Sequence, residues 1–212
     1  MKILFVGSGL LRPDNYPKVD AGASVQTWGV SKELAKRGNE VYILRRSNDK
    51  DETVEKVHLI SVHFRGIDAL FPPYNIPFFA SLVATKIFFS QKSLDKIITI
   101  NPDGICFTDR YSSFFPSRLS TPKLYVMHIP EALGFFKASA IQANKLNSIV
   151  FYVKKALETS ILKRVNGIIT LNRSFENYVR DNGFSNVVKI PNGVDPEQFA
   201  NKGDDKYILY AG

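Results

Sequence analysis

Seven short apolar runs, separated by longer segments of mixed polarity, constrain this chain more than any other feature. They are Lys2 to Val6, Glu40 to Leu44, Val57 to His63, Gly104 to Thr108, Lys123 to His128, Gly167 to Leu171 and Val187 to Ile190. Several are rich in valine and isoleucine, as strands covered on both faces tend to be. Short strands that alternate with helix-length amphipathic segments build a parallel sheet wrapped by crossover helices. The expected class is therefore α/β, a Rossmann-like parallel sheet flanked by helices.

The first two runs bracket a helix expected over Ser24 to Arg37, ended by Gly38 in the left-handed cap position. A longer helix is expected from about Lys145 to Arg164. Its stripe of Leu146, Ile149, Val150, Val153, Ala156, Leu157 and Ile161 recurs at helical spacing and is expected to face the sheet. Lys154, Lys155 and Lys163 do not share a single opposite face in this reading, so the pattern of a membrane-surface helix is only partly met. Asn172 or Ser174 caps the next helix, which Gly183 closes. Asn101-Pro102-Asp103 separates a helix from the strand after it, because proline restricts the residue before it and donates nothing to a ladder. Pro72 and Pro73 mark a loop. The aromatic piece beyond them (Phe78, Phe79, Phe88, Phe89) fits either a buried helix or a surface that touches lipid acceptors.

The chain of 212 residues fits one domain of ordinary size. Its 44% hydrophobic and 23% charged content is that of a globular protein. The single cysteine, Cys106, excludes an internal disulfide and any multi-cysteine zinc site, and agrees with a reducing compartment. A cytoplasmic location is expected on that ground. The opening MKILFVG is too short for a signal-peptide core. The longest apolar stretch, Pro77 to Phe89, is broken by Lys86 and falls short of the roughly 20 residues of a spanning helix.

A formal charge of +8 raises the question of nucleic acid. The basic residues, however, are spread along the chain in pairs such as Arg45 with Arg46 and Lys154 with Lys155, without a basic run or an aromatic-basic RNA motif. A solvated surface accounts for them, and nucleic acid is not an expected partner. A diffuse positive field suits phosphate-bearing substrates and anionic lipid headgroups, so peripheral contact with the anionic inner face of a membrane is a partner the charge allows.

Gly7-Ser8-Gly9 after the first strand hints at a dinucleotide fingerprint, but Arg12 stands where the third glycine belongs, and a long loop with Pro13 and Pro17 replaces the tight turn. The second strand ends in Arg45 and Arg46, with no acid to hold a ribose. An NAD-dependent dehydrogenase does not fit. The same loop ends in Ala21-Gly22-Ala23-Ser24 at the mouth of a helix, where free amides and the macrodipole favour an anion and small residues let a phosphate approach. A plain structural account also exists, in which Gly22 makes a turn and Ser24 caps the helix. By topology, Asp109, Arg110 and Tyr111 after the fourth strand, and Asn172 and Arg173 after the sixth, fall where open α/β sheets hold ligands.

Three segments carry a family likeness. AGASVQTWGVSKELAKRGNEVYIL resembles the N-terminal signature of glycosyltransferase family four, with Ala21 in place of the first glycine of a pair and Asn39 in place of a histidine. LYVMHIPE is similar to that family's strand ending in histidine, and KIPNGVDPEQF to its interdomain signature. They follow the family's order and span most of the chain. The resemblance implies a GT-B architecture of two Rossmann-like domains facing across a cleft. It further implies transfer of a sugar, hexosyl by class, with retention of configuration, from a nucleotide sugar to a glycan, lipid or small-molecule acceptor, without metal or organic cofactor.

Under that resemblance Gly22 offers its amide to the donor phosphate with Ala23 beside it, His128 is the candidate catalytic residue that hydrogen-bonds sugar or acceptor hydroxyls, and Glu131 follows at the same rim. Asn192 lies in the turn that leads into the second domain. That turn also has a structural account, since Asn192-Gly193 suits a positive backbone angle and Asp195-Pro196 can cap one helical turn that buries Phe199. Residues 1–200 are then an acceptor-side domain, and 201–212, ending in the strand-like YILYAG, a linker and the first strand of a donor domain. The expectation is that the chain alone transfers nothing. The alternative is a stand-alone module that binds a glycan or polyprenyl phosphate, or one that pairs with a separately encoded donor domain.

Overall fold

The computed structural model describes residues 1–7, 22–46, 50–62, 90–108, 119–128, 152, 155–156 and 158–193. Among these, β1 (Lys2–Gly7), α1 (Gly22–Lys36), β2 (Glu40–Arg46), β3 (Glu52–Val54) and β4 (Val57–Val62) come first. They are followed by α2 (Ser90–Ile100), β5 (Gly104–Phe107), β6 (Lys123–Met127), β7 (Gly167–Thr170), α3 (Arg173–Asp181) and β8 (Val187–Lys189). The strands form one sheet in the order β3-β4-β2-β1-β5-β6-β7-β8. All pairings are parallel except the antiparallel pairing of β3 with β4.

All seven expected strands are present, and the class is the expected α/β. The eighth, β3, is an edge strand of three residues that lacks an apolar run, and the sequence analysis passes over it. A two-residue turn, Glu55-Lys56, joins it to β4, and both residues carry positive φ, 47° and 67°. Glycine or asparagine normally fills such a turn because a Cβ crowds the backbone there. Lys32 on α1 reaches Glu55 at 3.2 Å, tying the turn to the helix.

Side chains on one sheet face (Leu4, Val6, Leu44, Phe107, Tyr125, Met127, Ile168) pack with Ile97 and Ile100 of α2, Ile161 and Leu162 of the helical segment 158–162, and Val179 of α3. The other face (Phe5, Val41, Ile43, Cys106, Val126) packs against Trp28 and Ala35 of α1. Burial on both faces is why these runs read as continuous apolar stretches rather than alternating ones. Polar side chains satisfy the strand starts: Lys2 N donates to Asp103 Oδ2 at 2.7 Å and Lys123 N to Asn166 Oδ1 at 2.8 Å.

α1 starts at Gly22, two residues before the expected start, so Ser24 belongs to the first turn instead of capping it. Gly38 and Gly183 take positive φ, 84° and 87°, as their cap positions require. Asn172 caps α3, its side chain accepting from Phe175 N at 2.9 Å. The expected helix over Lys145 to Arg164 is described only in part: residues 152, 155–156 and 158–162 are helical. Ile161 faces the core as expected, but Ala156 is exposed, and two residues later Glu158 is buried. Apolar periodicity cannot register a buried carboxylate, which shifts the inward face. The aromatic piece 78–89 and residues 194–212 lie outside the described residues, and no described helix is long and apolar enough to cross a membrane.

Arg45 corrects the expectation of a solvated basic pair. It is fully buried at the end of β2, its Nε donating to Ser61 Oγ at 3.3 Å and its Nη2 to Glu52 Oε1 at 3.0 Å. Glu52 remains partly open to water, so the pair is screened on one side. Truncating Glu52 removes a counter-charge from a buried cation, the costly half of such a pair. Glu52→Ala is expected to lower unfolding free energy by about 2 kcal/mol in urea titration, whereas Arg45→Met, which removes the charge as well, costs less. Lys56→Gly relieves the left-handed turn and is expected to raise stability by about 0.5 to 1 kcal/mol in the same measurement.

Candidate active site

β1 is the point where the winding reverses. From it the chain builds outward through β2 and β4 on one side, then returns to add β5, β6, β7 and β8 on the other. In such sheets a crevice opens at the carboxyl ends of the strands on either side of the reversal, and ligands bind there. Here those strands are β1 and β5, ending at Gly7 and Phe107. Thr108 closes the bottom of the crevice: its amide donates to Val6 O at 3.1 Å and its hydroxyl to the same oxygen at 3.3 Å. Thr108 is 6% exposed, and nothing in an isolated threonine at the end of an apolar run marks a crevice floor.

α1 arrives at this edge from above. It ends at Lys36, and Gly38 turns the chain into the start of β2, where Glu40 N donates to Met1 O at 2.9 Å. Fifteen residues of helix span roughly 22 Å, enough to carry the other end, Gly22, to the carboxyl edge of the sheet. The first-turn amides of α1, from Gly22 and Ala23 onward, therefore open at that edge.

His128 directly follows β6 at the same edge. Alternation along β6 puts Leu124, Val126 and His128 on the α1 side and Tyr125 and Met127 on the other. Val126 shares a packed cluster with Trp28 of α1, which fixes the side. His128 and the start of α1 thus occupy one corner, the same edge and the same face. The register Met127 to Thr170 sets His128 level with Leu171, next to Asn172.

Asn172 spends its side-chain oxygen on the α3 cap and is exposed. Arg173 opens α3 with a side chain that is 75% exposed and only 3.8 Å from Glu176 Oε2, a loose pairing that leaves the guanidinium available. Asn192 lies just past β8, exposed. Two strand spacings separate β8 from β6, so Asn192 stands about 10 Å along the edge from the His128 strand. The structure puts His128 and the start of α1 on one face at the carboxyl edge, Asn172 and Arg173 one strand over at the start of α3, which packs on the opposite face, and Asn192 farther along. Asp109, Arg110, Tyr111 and Glu131 lie outside the described residues, as does the side chain of Ala23.

Cys106, next to this crevice on β5, is an inert thiol, since burial pushes its pKa up to about 12. It is no candidate nucleophile. Among the described residues no group of three or more histidine, cysteine, aspartate or glutamate side chains is arranged to hold a metal ion.

Known structures share this architecture. Sucrose-phosphate synthase from Thermosynechococcus elongatus superposes with a TM-score of 0.65 at 17% identity, over 92% of this chain and 49% of that one. A shorter chain of that synthase is matched over 93% of its length, at 15% identity and a TM-score of 0.62. A UGT transferase from Siraitia grosvenorii, in complex with UDP, gives a TM-score of 0.52 at 11% identity, over 89% of this chain and 50% of that one. At these identities the likeness establishes the fold alone, a Rossmann-like domain of the kind found in GT-B structures. The chain spans about half the length of the synthase and of the UGT transferase. No curated protein sequence matches. The family model described as Glycosyltransferase Family 4 matches residues 21–198, from the threshold of α1 to beyond β8, and the chain accordingly belongs to that family.

Proposed function

We propose that this domain serves a retaining glycosyltransferase that moves a hexosyl unit from a nucleotide sugar to a glycan, lipid-linked or small-molecule acceptor. The observation that carries the reading is the corner shared by the start of α1 and His128. In the reaction the bond from the anomeric carbon to the diphosphate breaks, and a bond to an acceptor hydroxyl oxygen forms on the same face of the sugar. The hydroxyl proton leaves with the departing phosphate oxygen. Negative charge grows on the nucleoside diphosphate, and preorganised donors act most strongly on charge that develops in the transition state.

The amides of Gly22 and Ala23 suit that role, since a helix start favours an anion and a glycine leaves its amide open to close approach. His128 holds a hydroxyl of the sugar or acceptor in line for transfer, a positioning effect that lowers the barrier by removing orientational freedom. Asn172 and Arg173 serve the acceptor side one strand over, with Asn192 farther along the edge, and Asp109, Arg110 and Glu131 are the remaining candidates for substrate contact. Transfer on this reading uses amides and cationic groups in place of a metal or organic cofactor.

The donor is held mainly by a second domain, a division supported by the half-length match to the synthase and to the UGT transferase. The 212-residue chain by itself is then expected to transfer nothing and to bind nucleotide sugars more weakly than micromolar in calorimetry. Micromolar or tighter binding overturns that division. In the complete protein, His128→Ala is expected to lower kcat by on the order of 100-fold with an unchanged unfolding midpoint. Turnover equal to the unaltered protein removes His128 from the site.

A further inference from the structure

The described helix before β7 has one exposed face that transfer does not use. Tyr152, Lys155, Ala156, Thr159, Ser160 and Lys163 line a shallow hollow of about 490 Å³ on it. At about 100° per residue these six fall within an arc of about 140°. Lys155 and Lys163 therefore share a face, which becomes apparent once Ala156 is found on the solvent side. The stretch from Tyr152 to Arg164 contains one acid, Glu158, and it is buried at 2% exposure on the core side. Among the described residues no carboxylate pairs with the two ammonium groups, and Arg164 adds a third exposed cation just past the helix.

We propose that this face docks the protein on an anionic lipid bilayer. Charge complementarity selects an anionic partner, and spacing selects its form. Lys155 and Lys163 are eight residues apart, about 12 Å along the axis. That separation lets each ammonium meet its own headgroup along a charged surface. The hollow between them is floored by Ala156, Thr159 and Ser160, short side chains that let headgroups settle against the helix. Tyr152, 59% exposed, supplies the amphipathic ring that favours the headgroup layer. The helix packs by its other side on the sheet face opposite α1, through Ile161 and Leu162, so docking leaves the corner at His128 unobstructed.

The test uses the 212-residue chain and vesicle co-sedimentation, which needs no sugar transfer, so its result stands apart from the activity reading. Phosphatidylcholine vesicles doped with phosphatidylglycerol are expected to carry the chain down, pure phosphatidylcholine vesicles are not, and binding weakens as salt rises. Each of Lys155→Gln and Lys163→Gln is expected to weaken binding about fivefold, and the pair about 25-fold. Lys36→Gln, exposed at the end of α1 on the other side of the sheet, is the control and changes binding by about twofold or less. Circular dichroism of each variant verifies that its fold is retained. Failure to bind the anionic vesicles overturns the proposal, as does binding that survives the double substitution. An equal loss from Lys36→Gln assigns the attraction to overall charge and overturns it too. Displacement by inorganic phosphate at constant ionic strength makes the hollow a single-anion pocket and has the same effect.

Discussion

The parallel pairing of β1 with β2 on one side and β5 on the other is the constraint on which the rest depends. β1 is buried on both faces, with Leu4 and Val6 fully enclosed and Phe5 nearly so. A strand in that position can gain parallel neighbours only through crossovers that return the chain to the start of the next strand. Seven strands consequently end along a single edge, and the two directions of winding part at β1. A crevice at that point follows from connectivity, before any side chain is chosen.

Side chains then decide what the crevice presents. Trp28 of α1 shares one packed cluster with Phe5 and Val126, which puts the start of α1 on the same face of the sheet as the residue after β6. A helix bound to the opposite face would put its amides and His128 on different sides of the sheet. The corner is thus a packing result expressed as chemistry, and the bulky indole at position 28 sustains it from the far side of the first helical turn. The ion pair at the other end of β2 belongs to the same logic: Arg45 occupies a strand end where an apolar side chain would pack, and β3 exists in part to supply its counter-charge.

Much of this was legible in the amino-acid order. Strands buried on both faces announce themselves as apolar runs, and glycines at 38 and 183 mark helix ends because few other residues take those backbone angles without strain. The place of His128 directly after β6 was legible because the apolar run LYVM stops there. Three features were not. β3 has no apolar run to detect. Arg45 reads as surface by residue type, since burial of a guanidinium depends on a partner seven residues away in an unrecognised strand. Ala156 reads as core because a helical pattern counts methyl groups and cannot see that a carboxylate two residues later turns inward.

The lone thiol of Cys106 has a practical consequence. It sits mid-sheet at 6% exposure, held in its unreactive protonated form, so an alkylating reagent has no nucleophile to attack while β5 remains in place. Modification has to wait for the central strands to part, and in a chain with no second thiol every labelled molecule records one such event. The protein therefore carries its own internal clock for global opening, readable by mass without any engineered probe.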